Sequence, residues 1–151
     1  MEIKSSSFNN NAFIPSKHAY RPSNFSPPLS WSGVPKDTMS FVLICDDPDA
    51  PVGTWVHWVI FNIPKEKTVL EENVPHDGKL TDGSIQGKSD FGSLGYGGPY
   101  PPPGKPHRYF FKLYAIDIML DLKEGVLKED VLKAISGHVL AEAEIVGLYK
   151  R

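Results

Sequence analysis

The sequence predicts an antiparallel β-core with a helical cap at its C-terminal end, and three observations carry that prediction. Three long apolar runs are rich in β-branched and aromatic residues, the segments between them are dense in Pro and Gly, and helical spacing of apolar residues begins only near residue 128. Strands first and helices last exclude alternating βαβ units. With 151 residues, 40% of them hydrophobic and 11% aromatic, the chain has the size of one domain, 1–151, with a full core. No fixed-period repeat and no flexible linker divides it.

The first 35 residues are rich in Ser, Asn and Pro around short apolar pieces such as Ala12–Ile14, which predicts irregular structure and edge strands. Ser40–Cys45, SFVLIC, is a continuous apolar run, the pattern of a strand covered on both faces. DDPDAPVGT, 46–54, is a loop, and WVHWVIFNI, 55–63, is a second strand stopped by Pro64. Residues 65–96 are polar and glycine-bearing, and read as long connections with short pairings. HRYFFKLYAI, 107–116, is the third strong strand. KEDVLKAI and then GHVLAEAEIVGLYKR place apolar residues at helical spacing, which predicts two short helices with Gly137 as the stop between them.

Composition narrows the function. A net charge of −2 argues against a nucleic-acid surface as the main business. No window approaches the roughly 18 uninterrupted apolar residues of a membrane span, and Met1 is followed by no apolar leader, so a soluble, cytoplasmic protein is expected. The single cysteine, Cys45, ends an apolar run and is expected to be a small buried hydrophobe. No cofactor motif is present.

Strand periodicity then places side chains. A strict period of two puts Trp55, His57, Val59 and Phe61 on one face of the second strand, opposite Val56, Trp58 and Ile60. In the third it groups His107, Tyr109, Phe111 and Leu113, opposite Arg108, Phe110, Lys112 and Tyr114. If 40–45 runs up to the 46–54 loop and the other two strands descend, both histidines stand at the loop end of the sheet. The candidate constellation is Asp47 and Asp49 from the loop, His57 and His107 from two strand starts, and Tyr109 beside them. Carboxylates beside imidazoles orient the rings and favour their charged form. Free N–H groups of Gly97 and Gly98 would complete a small anion site as a backbone concavity.

The stretch GGPYPPPGKPHRY, 97–109, fits that picture, because prolines fix φ and would hold a pocket wall in place beside His107 at little entropic cost. Each element also has a structural reading. Asp-Pro-Asp opens turns, a histidine on an apolar strand face is commonly packed, and PYPPPGKP could be an exposed polyproline ligand. Trp55 is expected to line the pocket from His57's face, and Arg108 to pair with an acid of the fold. His18, His76 and His138 have no supporting pattern and are expected to be surface or packing residues.

DPDAP at 47–51, the W-x-H-W of Trp55–Trp58, and G-P-x-P-P followed by G-K-P-H-R-Y at 98–109 resemble the two signature regions of the phosphatidylethanolamine-binding protein family. The compact length and the ending GHVLAEAEIVGLYK resemble its small bacterial and archaeal branch, often called Raf-kinase-inhibitor-like. The resemblance covers nearly the whole chain. It implies a mostly β, antiparallel Greek-key β-sandwich with short C-terminal helices and an anion pocket at one end. Carried over residue by residue, that pocket falls on Asp47, His57, Gly98, Pro99, His107 and Tyr109, with Asp49 and Trp55 as neighbours. The ligands so implied are phosphorylated headgroups, phosphorylated side chains or similar oxyanions; a protein kinase or protease is an implied partner, and homodimers an implied assembly. The loop from Val52 to Thr54 is shorter than in eukaryotic members. Whether Tyr149 covers the pocket mouth, as an aromatic of their longer C-terminal helix does, is left open.

Three classes of function follow: a non-catalytic binding module for a phosphate-bearing ligand, an inhibitor or scaffold for a kinase or protease, and a metal-dependent hydrolase using Asp47, Asp49, His57 and His107 as ligands. The last lacks a paired ligand motif on a helix. Ser89 and Ser93 have no base placed beside them to activate a nucleophile.

Overall fold

The computed structural model describes residues 1–151. In chain order the elements are β1 (Glu2–Lys4), β2 (Ala12–Phe13), β3 (Leu29–Ser32), β4 (Ser40–Asp47), β5 (Trp55–Pro64), β6 (Val69–Leu70), β7 (Ile85–Gln86), β8 (His107–Ile116), α1 (Lys128–Ile135) and β9 (Val139–Tyr149). The larger sheet has the order β2-β9-β8-β4-β5-β7 and the smaller one β1-β3-β6. Every pairing is antiparallel except the short one between β2 and β9.

All eight residues of β4 are buried, as its unbroken apolar run requires of a strand covered twice. Phe41, Leu43 and Cys45 enter the main core between the two sheets, where Ile3, Leu29, Trp31 and Leu70 of the small sheet meet Trp58, Phe111 and Leu113. Val42 and Ile44 point the other way, into a second core closed by Ile116, Leu120, Val131 and Ile135. Helix α1 supplies Val131 and Ile135 to that second core, and the Asp130 carboxylate accepts the Leu127 N–H at its start. After Ser136, Gly137 takes φ +83°, a left-handed turn that ends the helix where the sequence places its stop.

The structure corrects two expectations. The first concerns GHVLAEAEIVGLYKR, which contains no helix: 139–149 is the longest strand, β9, paired with β8 from Ile116↔Val139 to His107↔Tyr149. Ala141, Ala143 and Ile145 face the main core while Glu142 and Glu144 face solvent. That alternation is a strand pattern written in good helix formers, and pairing with the strongly apolar β8 overrides local propensity.

The second correction lies in β5. Cys45 pairs with Trp58 and Asp46 with Val56, so His57 is an extra residue in a bulge. Period two therefore fails at that point. Val56, Val59 and Phe61 go to the α1 side and Trp58, Ile60 and Ile63 to the main core. A second irregularity sits at Asn62, whose φ is +53° and whose side-chain amide bonds both the N–H and the carbonyl of Leu120. No helix is long and apolar enough to cross a membrane.

Candidate functional site

Because β5 and β8 both run antiparallel to β4, the last residue of β4, Asp47, is flanked by the first turns of the two neighbours. His57 and Trp55 arrive from one side, His107 and Tyr109 from the other. The bulge turns His57 toward the main-core side, and its ring meets the Tyr109 ring edge-on at 5.1 Å between centroids. Sheet topology thus gathers residues that lie 60 positions apart.

Asp47 is 3% exposed and holds two donors. Its Oδ1 accepts the Asp49 N–H at 2.7 Å, closing the turn, and its Oδ2 accepts from Nδ1 of His107 at 2.7 Å. The His107 ring makes its protein hydrogen bond through Nδ1. His57 is fixed in a different way: its Nδ1 donates to the Gly97 carbonyl at 2.6 Å, and the Gly97 N–H donates back to the His57 carbonyl at 2.8 Å. Burial holds the His57 imidazole below its ordinary value, against the opposing pull of the Gly97 carbonyl and the Asp47 charge. Tyr109 is 1% exposed, and its hydroxyl, close to the Asp47 carboxylate, makes no well-formed hydrogen bond within the protein. Burial, and then the Asp47 charge, push its phenol well above the ordinary range, so it stays a donor.

These four groups form the floor of a cavity of about 300 Å³. Ala50, Pro51 and Val52 make one wall, Trp55 and Phe91 a second, and Tyr100, Pro101 and Pro102 a third. No Lys or Arg reaches the lining. Phe91 is the keystone of the aromatic side, stacked on Tyr20 at 4.4 Å and edge-on to both Trp55 and His57. The proline-rich wall is pinned from outside: the Arg151 guanidinium lies 4.0 Å from the Tyr100 ring centre and its Nε donates to the Pro101 carbonyl. Tyr149, paired with His107 in β9, packs on the main core and is not part of the lining.

Of the residues singled out in the sequence, Asp47, Trp55, His57, His107 and Tyr109 converge on this cavity. Asp49, Gly98 and Pro99 do not reach it. Asp49 is bound by Arg108 through Nε, Nη2 and the backbone N–H, and those bonds hold its carboxyl below the usual range. The expected concavity of free N–H groups is also absent: the Gly97 N–H is taken by His57, and the Gly98 N–H by Asn24 Oδ1 at 2.7 Å. Gly98 answers a packing need instead, since a Cβ there would lie 2.1 Å from the His18 carbonyl oxygen. Phe91 was not singled out, whereas Ala50 and Pro51 lie in the DPDAP motif and Tyr100 in the proline-rich stretch read as a pocket wall. The one available signal for Phe91 is a lone aromatic between Asp90 and Gly92 in an otherwise polar stretch.

The match to known families decides the relationship: residues 4–150 fit the family described as phosphatidylethanolamine-binding protein. The chain belongs to that family. Among phosphatidylethanolamine-binding protein relatives, a UPF0098 protein of Methanothermobacter thermautotrophicus is 59% identical, with 100% of this chain and 99% of that protein covered. The UPF0098 protein YbhB of Escherichia coli is 38% identical, with 99% of each covered. Among solved structures, Escherichia coli YbcL, described as a new member of the mammalian family, superposes with a TM-score of 0.93 at 35% identity, covering 99% of this chain and 98% of that one. A Chlamydia trachomatis homologue gives 0.90 at 37%, covering 99% and 97%.

The neutral histidines have a consequence for stability. His18, 0% exposed, is bonded to the Phe25 carbonyl and the Ser7 hydroxyl, and burial lowers its pKa as it does that of His57. The unfolded chain, with both rings near 6.5, binds more protons, so this contribution is complete above that value and is lost as the pH falls below it. Each ring can add a slope of at most about 1.4 kcal/mol per pH unit. The urea midpoint should therefore drop between pH 7.5 and 5, before the carboxylates titrate; a flat midpoint across that range would show the rings are not held neutral.

Proposed function

We propose that this family member is a non-catalytic binding protein whose pocket takes a small oxyanion, a phosphate carried by a headgroup or by a phosphorylated side chain. The observation that carries the reading is the Tyr109 hydroxyl, a buried donor without a well-formed hydrogen bond, on a cavity floor it shares with two imidazoles that bond to the protein through Nδ1. Buried polar groups are almost always satisfied, so an orphan lining a cavity points to a ligand. His107, held through Nδ1 by the Asp47 carboxylate, and Tyr109, whose hydroxyl is closed off from solvent, line the same cavity. A buried hydroxyl beside an imidazole backed by a carboxylate suits an oxyanion.

Family membership supports a binding role in general, and the donor geometry supports the anion. Hydrolysis finds less support: no cluster of three or more His, Cys, Asp or Glu is arranged to hold a metal ion. Nothing in the pocket favours a kinase or a protease over a small ligand.

Tyr109→Phe tests the reading, because the hydroxyl makes no well-formed hydrogen bond in the folded state that its removal would break. Calorimetric titration with phosphoethanolamine at constant ionic strength should give roughly ten-fold weaker binding for the variant, the worth of a hydrogen bond to a charged group, with an unchanged or slightly raised melting temperature. Unchanged affinity would remove the hydroxyl from the site, and no binding by the wild type would reject the proposal.

A further inference from the structure

The two imidazoles on the pocket floor have different hydrogen-bonding lives. Nδ1 of His57 lies 2.6 Å from a carbonyl oxygen, which can only accept, so that nitrogen carries the hydrogen. The ring is 3% exposed and makes no ion pair, and its Nε2 has no protein partner. The groups around it are Asp46 and Asp47 of β4, Tyr109 of β8, the Phe91 ring, and the carbonyls of Gly97 and Gly98. Two are acids at a distance, and none is a donor aimed at Nε2. A neutral ring so held offers the cavity a lone pair, whereas the His107 ring is backed at its Nδ1 by the Asp47 carboxylate.

The floor therefore asks for a ligand that donates as well as accepts. A fully ionised oxyanion would place a lone pair against the Nε2 lone pair of His57, beside the buried charge of Asp47 and with no Lys or Arg to offset it. Resting on the oxyanion reading above, we propose that the pocket selects oxyacids that retain a proton, such as hydrogen-phosphate monoesters, whose O–H donates to Nε2 of His57 while their other oxygens accept from Tyr109 and His107. Dianions and proton-free monoanions of the same shape are rejected. Sites built around a buried hydrogen-bonding group discriminate strongly against analogues that leave it unpaired.

Methyl phosphate and methyl sulfate make the comparison at equal size. At pH 5.5 methyl phosphate, with a second pKa near about 6, is mostly a monoanion with one O–H, and methyl sulfate is a monoanion with none. Calorimetry should show the phosphate ester binding at least about thirty-fold more tightly, the cost of leaving one buried acceptor unpaired. Raising the pH to 8 should weaken methyl phosphate more than methyl sulfate, because only the phosphate has a proton of its own to lose. His57→Phe, which keeps the aromatic contacts with Phe91 and Tyr109, should bring the ratio to within about three-fold, again because the acceptor is gone. Equal binding of the two esters to the wild type would overturn the selectivity and leave the oxyanion pocket standing. If neither ester binds, the oxyanion reading itself fails and the selectivity with it. The wild-type ratio decides the matter even if the variant does not fold.

Discussion

His107→Asn should bind phosphate about thirty-fold more weakly than the wild type while melting within about 2 °C of it, whereas His107→Ala should lose both affinity and stability. The asparagine amide nitrogen can take the place of Nδ1 and keep the 2.7 Å bond to Asp47, but it has nothing at the position of Nε2. Alanine removes both. Asp47 is 3% exposed and would keep only the Asp49 N–H as a donor. Stranding a buried carboxylate costs about 3 kcal/mol, somewhat less where the departing partner is partly exposed, as His107 is at 13%. Urea denaturation beside calorimetric titration separates the two effects. If His107→Asn binds as the wild type does, Nε2 is not a ligand contact; if His107→Ala is fully stable, Asp47 does not depend on the ring.

Gly98→Ala should be the most damaging single methyl group in the chain, with a loss of about 3 kcal/mol and a fall of roughly 6–12 °C in melting temperature. The added Cβ would sit 2.1 Å from the His18 carbonyl oxygen, 2.7 Å from the Ala19 carbonyl carbon and 2.8 Å from the Tyr20 nitrogen. All three are backbone atoms and cannot swing aside. The 98–102 wall and the segment 18–20 would have to separate, breaking the bonds from Gly98 to Asn24 and from Tyr20 to the Pro99 carbonyl. Gly104→Ala is the control, since nothing lies within 4 Å of its Cβ position and only its φ of +141° resists substitution. Thermal melts of the two variants with a similar loss would show that close approach is not what Gly98 provides.

The parts of the molecule that could be read from the sequence are those governed by local chemistry. The continuous run SFVLIC announced a doubly covered strand, and Pro64, the 46–54 loop and the 97–106 loop bounded β5 and β8 closely. From those bounds alone, antiparallel pairing brings Asp47, His57, His107 and Tyr109 to one end of the sheet. Where the local signal was misleading, tertiary pairing had decided the outcome. Ala and Glu in β9 favour a helix in isolation, and only the partner strand β8 makes them a strand. The bulge at His57 leaves no mark in a single sequence, because it depends on which residue of β4 is opposite. The glycines at 97 and 98 were read as anion donors when their role is contact: their N–H groups are spent on His57 and Asn24. Phe91 and Tyr100 reach the cavity from long connections, where no periodicity exists to point a side chain.

The central claim is that a phosphate-type anion sits over the free edges of His57 and His107. Long-range proton–nitrogen NMR spectra of the five imidazole rings during a phosphate titration at constant ionic strength test it directly. Saturable movement of the His57 and His107 Nε2 signals along one binding curve is expected, with those of His18, His76 and His138 unmoved. Movement confined to the exposed rings, or no saturation at His57 and His107, would contradict it.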